Sequence, residues 1–292
     1  MHLARLRGLG TNPAIPDDLF RRVLDHPGSA SWLPGWLITS RDRWTDASFA
    51  AVAAHPDPAI RAKLARSWHS SGAQRARLVD DPDVTVRIAL AAGPEGPSEP
   101  MPAEAYRRLA TDPDRRVWRR LWISDSLPDV AGAVLATLDH PVTGRREPQE
   151  VGPAAAPRFG GLPADAPGDV VLRAFLESRS IKRDELLRHP AFPRTDLVRH
   201  ADSPDWEARA LVPMDPGASA ELIDRLSRDE HPWVRARAAA DGRLSVARVL
   251  ELLADEVTAE SAASNPGLPR EVMERIVATG GADPPYPEIG GL

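Results

Sequence analysis

An all-α solenoid of about ten short helical repeats, interrupted by one Pro/Gly-rich insertion, is the fold class the sequence predicts. Three observations predict it. A proline-flanked motif recurs along most of the 292 residues. Apolar residues follow each copy at helical spacing. Residues suited to strands are sparse, with 2 Tyr and 5 Phe. Proline, at 30 of 292, is about twice its usual share. In short helices it serves as punctuation.

The motif is clearest in Asn12-Pro13-Ala14-Ile15-Pro16, followed by Leu19, Val23 and Leu24, and in Asn265-Pro266-Gly267-Leu268-Pro269, followed by Val272, Ile276 and Val277. Between them lies His189-Pro190-Ala191-Phe192-Pro193, followed by Leu197. A second proline comes 11 residues after the first, as in Pro16 to Pro27, Pro102 to Pro113 and Pro193 to Pro204. Downstream of it stand an Asp, an apolar residue and an Arg: Asp57, Ile60 and Arg61 after Pro56, Asp83, Val86 and Arg87 after Pro82, and Asp205, Ala208 and Arg209 after Pro204. The first-proline site then falls at Pro16, Thr45, Ser71, Pro102, Pro128, Pro167, Pro193, Glu221, Ser245 and Pro269. These residue types suit a helix start, where proline has no N–H to lose and Ser or Thr can accept from orphan donors. Each unit reads as a helix of about ten residues, a His/Asp-Pro turn and a second short helix, ended by a further Pro at 94, 190 or 266. One such unit cannot bury its own apolar faces, and stacking units makes a continuous core.

The Asn-Pro-x-Leu-Pro element with Asp-Pro-x-x-x-Val-Arg resembles the leucine-rich repeat variant family and, more broadly, the HEAT-like α-solenoids. The resemblance covers residues 11 to 280 apart from the insertion. It implies short α-helices alternating with 3₁₀ or second α-helices in a right-handed superhelix, used as a binding scaffold. Two departures predict irregular packing: Trp118 stands where Arg is expected, and Arg235 falls two residues early after Pro232.

The domain reading follows. Residues 1–140 form an N-terminal solenoid half, with Leu3, Leu6 and Leu9 in a candidate capping helix. Residues 141–168, with six prolines and five glycines, form a linker or loop. Residues 169–281 form the C-terminal half, and 282–292 an irregular tail. The absence of cysteine excludes disulfides, Cys-ligated metals and thiol catalysis. No apolar stretch approaches the roughly 20 residues of a membrane helix, and Met1–Gly10 lacks the apolar run of a signal peptide. A soluble cytoplasmic protein is expected. Lysine only at Lys63 and Lys182, with abundant Ala and Pro, points to a GC-rich bacterial genome.

Residues 1–146 carry 20 basic and 17 acidic side chains and residues 147–292 carry 17 and 25, which argues against a general polyanion binder. The densest basic cluster is Arg107, Arg108, Arg115, Arg116, Arg119 and Arg120, interleaved with Tyr106, Trp118 and Trp122. Either Asp112, Asp114, Asp125 and Asp129 balance it while the tryptophans fill the core, or it is an anion site with stacking aromatics. Trp206 and Trp233 follow the turn in two units and read as core packing or as a peptide-binding ridge. His26, His55, His140, His189 and His231 each precede proline, where other units have Asp or Ser, and so read as turn or cap residues. No metal and no cofactor is expected. The Asp57/Arg61, Asp83/Arg87 and Asp205/Arg209 pairs recur in several units, as a structural ladder would and a catalytic site would not.

The functional expectation is a non-enzymatic scaffold that binds a protein or peptide partner along its concave face. Two alternatives stand beside it. One is a nucleic-acid-acting protein similar to the HEAT-like DNA glycosylases, with Trp118, Trp122 and Asp125 as its candidates. The other is an accessory or regulatory subunit of a separate enzyme.

Overall fold

The computed structural model of the chain describes residues 2–27, 41, 44–94, 98–123, 127–140, 144–145, 158–163, 165–178 and 181–280. Most of the predicted insertion at 141–168, the tail at 282–292 and Asp125 lie outside them. The described residues form an all-helical protein with sixteen α-helices. In chain order these are α1 (His2–Thr11), α2 (Asp17–Leu24), α3 (Asp46–Ala53), α4 (Pro58–Ala65), α5 (Gly72–Ala76), α6 (Val84–Ala92), α7 (Ala103–Ala110) and α8 (Arg115–Trp122). They continue as α9 (Asp129–Ala136), α10 (Gly168–Glu177), α11 (Trp206–Arg209), α12 (Ala220–Leu226), α13 (Pro232–Ala239), α14 (Val246–Ala254), α15 (Ala259–Ala263) and α16 (Arg270–Ala278). Short 3₁₀ segments fill Ile181–Arg188, Val198–His200 and Val212–Met214. Strand pairing among the described residues is confined to two antiparallel two-residue ladders, Asp139–His140 with Gly144–Arg145 and Arg158–Phe159 with Leu162–Pro163.

Helix starts follow from the residues that precede them. Thr45 and Ser71 close capping boxes with Ser48 and Gln74. Asp57, Asp83 and Asp114 accept from the backbone N–H two residues on. Pro16, Pro102, Pro128, Pro167 and Pro269 stand immediately before α2, α7, α9, α10 and α16. The unit after Pro193 differs, with only the 3₁₀ turn Val198–His200 where the first helix is expected. There Asp196 takes a φ of 64°, which breaks a right-handed helix at once.

The second helices pack in a row: α4 on α6 and α6 on α8, α11 on α13, α13 on α15, and α15 on α1. First helices neighbour one another likewise, α16 on α2 and α2 on α3. Buried side chains from Leu6 to Leu135 and from Ala201 to Val277 form one continuous core. A second cluster gathers Val171, Leu172, Phe175, Leu186, Phe192 and Leu197.

The two ends of the described chain therefore meet inside the row. Asn265, fully buried, donates through Nδ2 to the carbonyls of Ala239 (2.8 Å) and Asp241 (2.7 Å), and its Oδ1 accepts from Gly267 N. Asn12, also fully buried, repeats this pattern on Ala263 (3.0 Å) and Asn265 (2.7 Å), with Ala14 N as its donor. Against α16 and α15, α1 takes the place of a second helix. Arg5 Nε donates to Leu253 O at 3.0 Å, and Leu6 and Leu9 are fully buried while Leu3 stays 42% exposed.

The recurrent arginines bind across units. Arg61 forks onto Asp81 of the next turn (2.8 and 2.9 Å) and donates through Nη1 to the carbonyls of His55 and Pro56 in its own turn. Arg87 does the same with Asp112 and the Asp81 carbonyl, and Arg209 with Asp229 and the Ser203 carbonyl. Asp57 and Asp83, the expected partners within the unit, cap their own helices instead.

This geometry corrects the register of one unit. Each arginine lies six residues after the first carbonyl it takes. Arg235 obeys the rule, donating to Asp229 O (2.9 Å) and Glu230 O (3.0 Å). It is not early. Pro232 is the first residue of α13, as Pro58 is of α4, and does not stand in the turn as Pro56 does. The helix start assigned to Glu221 accordingly belongs two residues earlier, at Ser219, whose side chain accepts from Leu222 N. One slip accounts for both anomalies. Trp118 stands six residues after Asp112 and packs half-buried against the core in place of an arginine.

Acid should loosen these turns. The Arg209 fork holds the Asp229 carboxyl below the usual range. At Asp215 burial pushes upward, but bonds from the Gly217, Leu197 and Val198 N–H groups and nearby Arg243 outweigh it, and the net shift is down. An ordinary Asp titrates near 3.9. A folded value depressed below that gives stability fully present above about pH 4 and lost as pH falls through the lowered value. The urea midpoint is expected to drop between pH 6 and pH 3, and to drop less in Asp229→Asn.

Candidate functional site

Trp206 and Trp233, on adjacent helices α11 and α13, line one cavity of about 290 Å³ with Phe175, Arg183, Glu207 and Arg237. Trp206 opens α11 and stacks flat on His231, ring centroids 4.0 Å apart. His231, expected as a turn or cap residue, stands at the N-cap position of α13 and supports this wall. Trp233 is 65% exposed, the most exposed of the large apolar side chains described. His55 and His189 do act as turn residues, each accepting through Nδ1 from the N–H two residues on.

Arg183 reaches the cavity because a ladder partner is missing. It lies 16 residues after Pro167, as Arg61 lies after Thr45 and Arg209 after Pro193. The acceptor in the next turn would be residue 203, which is Ser203 and not Asp. Arg183 turns instead to Glu207 (2.9 Å), and its guanidinium lies 5.0 Å from the Phe175 ring centroid and 5.8 Å from that of Trp206. Its Nε is buried without an acceptor. A hydrogen bond shared with Glu207 pushes the Asp205 carboxyl up, and the same bond together with Arg183 holds Glu207 below the ordinary range.

The other predicted cluster is divided. Arg107 and Arg108 lie on α7 and pair with Glu104 (3.3 Å) and Asp80. Arg116 closes on Asp114 at 2.8 Å, and its side-chain and backbone bonds hold that carboxyl at about 2. Arg115, Arg119 and Arg120 are exposed on α8. Trp122 is 5% exposed and belongs to the core, as does Tyr106, whose hydroxyl accepts from Met101 N. Trp118 beside this cluster and Trp206 in the α11/α13 cavity are both half-buried and Phe175 is covered, so Trp233 is the one tryptophan of the two sites that stands open.

Among the described residues no group of three His, Asp or Glu side chains could hold a metal ion. No described helix is long and apolar enough to cross a membrane. Comparison with family models, with curated proteins and with solved structures finds no match to this chain. The class defined is an all-helical protein with an aromatic and arginine-lined surface cavity.

Proposed function

We propose that the chain is a non-enzymatic α-solenoid scaffold of about ten units, of the leucine-rich repeat variant or HEAT-like type, that binds a peptide segment of a protein partner on its second-helix face. The observation that carries this reading is the α11/α13 cavity, open to solvent with Trp233 on its rim. Tryptophan and arginine are among the residues enriched in the energetic hot spots of protein interfaces. Stacked helical units offer extended surfaces of this kind. Of the Asp/Arg pairs that could suggest acid–base chemistry, the arginines are used as links to aspartates of the next turn, and Asp57 and Asp83 as helix caps. The net charge of −5 weighs against nucleic acid.

Peptides selected from a random display library on the folded protein test it. They are expected to lose at least tenfold in affinity on Trp233→Ala, with the melting temperature unchanged because that side chain is mostly solvated. Duplex and single-stranded DNA are expected not to bind at about 0.15 M salt. Selected peptides that bind the variant equally well would sink the reading, as would submicromolar DNA binding lost in Arg116→Glu plus Arg120→Glu.

A further inference from the structure

Resting on that peptide-binding reading, we infer that the α11/α13 cavity selects a segment in which an aromatic side chain is flanked by carboxylates. The aromatic half follows from shape. A volume near 290 Å³ between Trp206, Trp233 and Phe175 accepts one ring and offers it faces and edges for stacked or T-shaped contact. Trp206 cannot swing in to fill the space itself, because its own face is stacked on His231.

The carboxylate half follows from the two arginines. Arg183 is the ladder arginine whose usual aspartate is replaced by Ser203, and Glu207 satisfies only part of its fork. Its Nε remains buried without an acceptor, although a guanidinium is built to take a carboxylate with two parallel bonds. Arg237 stands exposed on the same wall. The acids nearby are already engaged. Glu207 is held by Arg183 and shares a hydrogen bond with Asp205, and Asp229 is forked by Arg209. A cationic segment would meet two arginines at the cavity, whereas an acidic one would be complementary in charge to both.

Four fluorescein-labelled peptides with the central sequences Glu-Phe-Glu, Gln-Phe-Gln, Glu-Ala-Glu and Lys-Phe-Lys, in identical Gly/Ser flanks, test this against the whole protein by fluorescence anisotropy. Glu-Phe-Glu is expected to bind at least tenfold more tightly than each of the others, and to weaken as salt rises. Arg237→Met should bring Glu-Phe-Glu down toward Gln-Phe-Gln. Glu207→Gln, which frees the Arg183 fork, should tighten Glu-Phe-Glu, a gain that a merely structural role for Glu207 would not produce. Equal binding of Glu-Phe-Glu and Gln-Phe-Gln overturns the carboxylate half, and equal binding of Glu-Ala-Glu overturns the aromatic half. If display-selected peptides bind through Trp233 while Glu-Phe-Glu does not, this inference fails and the peptide-binding reading stands. If no peptide of either kind binds, both fail.

Discussion

Arg61→Ala is expected to cost about 3 kcal/mol of folding stability, toward the lower end of what breaking a buried ion pair costs. The Arg61 and Asp81 side chains are only 10% and 4% exposed. Truncation removes both arms of the fork and leaves the Asp81 carboxylate with the Asp83 N–H (2.9 Å) as its remaining donor among the bonds described. The carbonyls of His55 and Pro56 lose their Nη1 donor at the same stroke, so one side chain unties two successive turns. Arg61→Lys should recover only part of the loss, since an ammonium keeps the charge but not the fork. The pair itself need not be worth this much. A desolvated ion pair replaced on both sides by apolar residues is often neutral, and Arg61→Leu with Asp81→Leu should accordingly be milder than Arg61→Ala. Arg270→Ala, which breaks ion pairs with Asp18 and Glu274 at a surface where the arginine is 54% exposed, should leave the urea midpoint unmoved. If Arg61→Ala denatures at the wild-type midpoint, the turn-to-turn link carries no stability.

Much of this could be read from residue spacing. The helix starts at Thr45, Ser71 and Ser245 and the arginine links follow from residue type at fixed spacing, because backbone donors at helix ends must be satisfied in every unit alike. Asp57 and Asp83, which the sequence pairs with those arginines, cap helices instead. The register of the Ser219 unit was lost because proline is suited to two places, the turn and the first helical residue. His231-Pro232 resembles His55-Pro56 while standing two residues later in its unit. Half of the cavity was legible in the same way. Trp206 and Trp233 stand out as tryptophans after a turn, whereas Arg183, Glu207 and Arg237 do not. The signal that was present is the serine at 203: a ladder arginine followed by a turn without its aspartate must find another use. The basic run at 107–120 admits two readings from sequence, charges balanced by acids over core tryptophans or an anion site. Sequence proximity groups six arginines, but α7 and α8 divide them, and Trp122 turns into the core.

Gly8→Ala is expected to open the junction between the two ends of the described chain, and Gly132→Ala to do the reverse of harm. Both glycines lie inside α-helices, where alanine is ordinarily favoured by about 1 kcal/mol. Among the described residues a Cβ on Gly132 meets nothing within 4 Å, so the intrinsic gain should appear as a higher midpoint. A Cβ on Gly8 would lie 2.0 Å from the Glu260 carbonyl oxygen and 2.7 Å from Ala263 Cβ. Backbone cannot rotate away as a side chain can, so α1 must lift from α15. With it go the burial of Leu6 and Leu9, on the order of 1.5–3 kcal/mol each, and the two carbonyl bonds of Asn12. The damage should be local before it is global. Amide exchange should quicken in Val246–Ala278, which packs against α1 and α2, while Pro58–Trp122, reached from α1 by way of α2 and α3, keeps its protection. If Gly8→Ala exchanges and melts like wild type, α1 is not seated between α15 and α16. A uniform loss of protection along the whole chain would instead show that the row opens as one cooperative unit, with Asn12 and Asn265 as its common fastening.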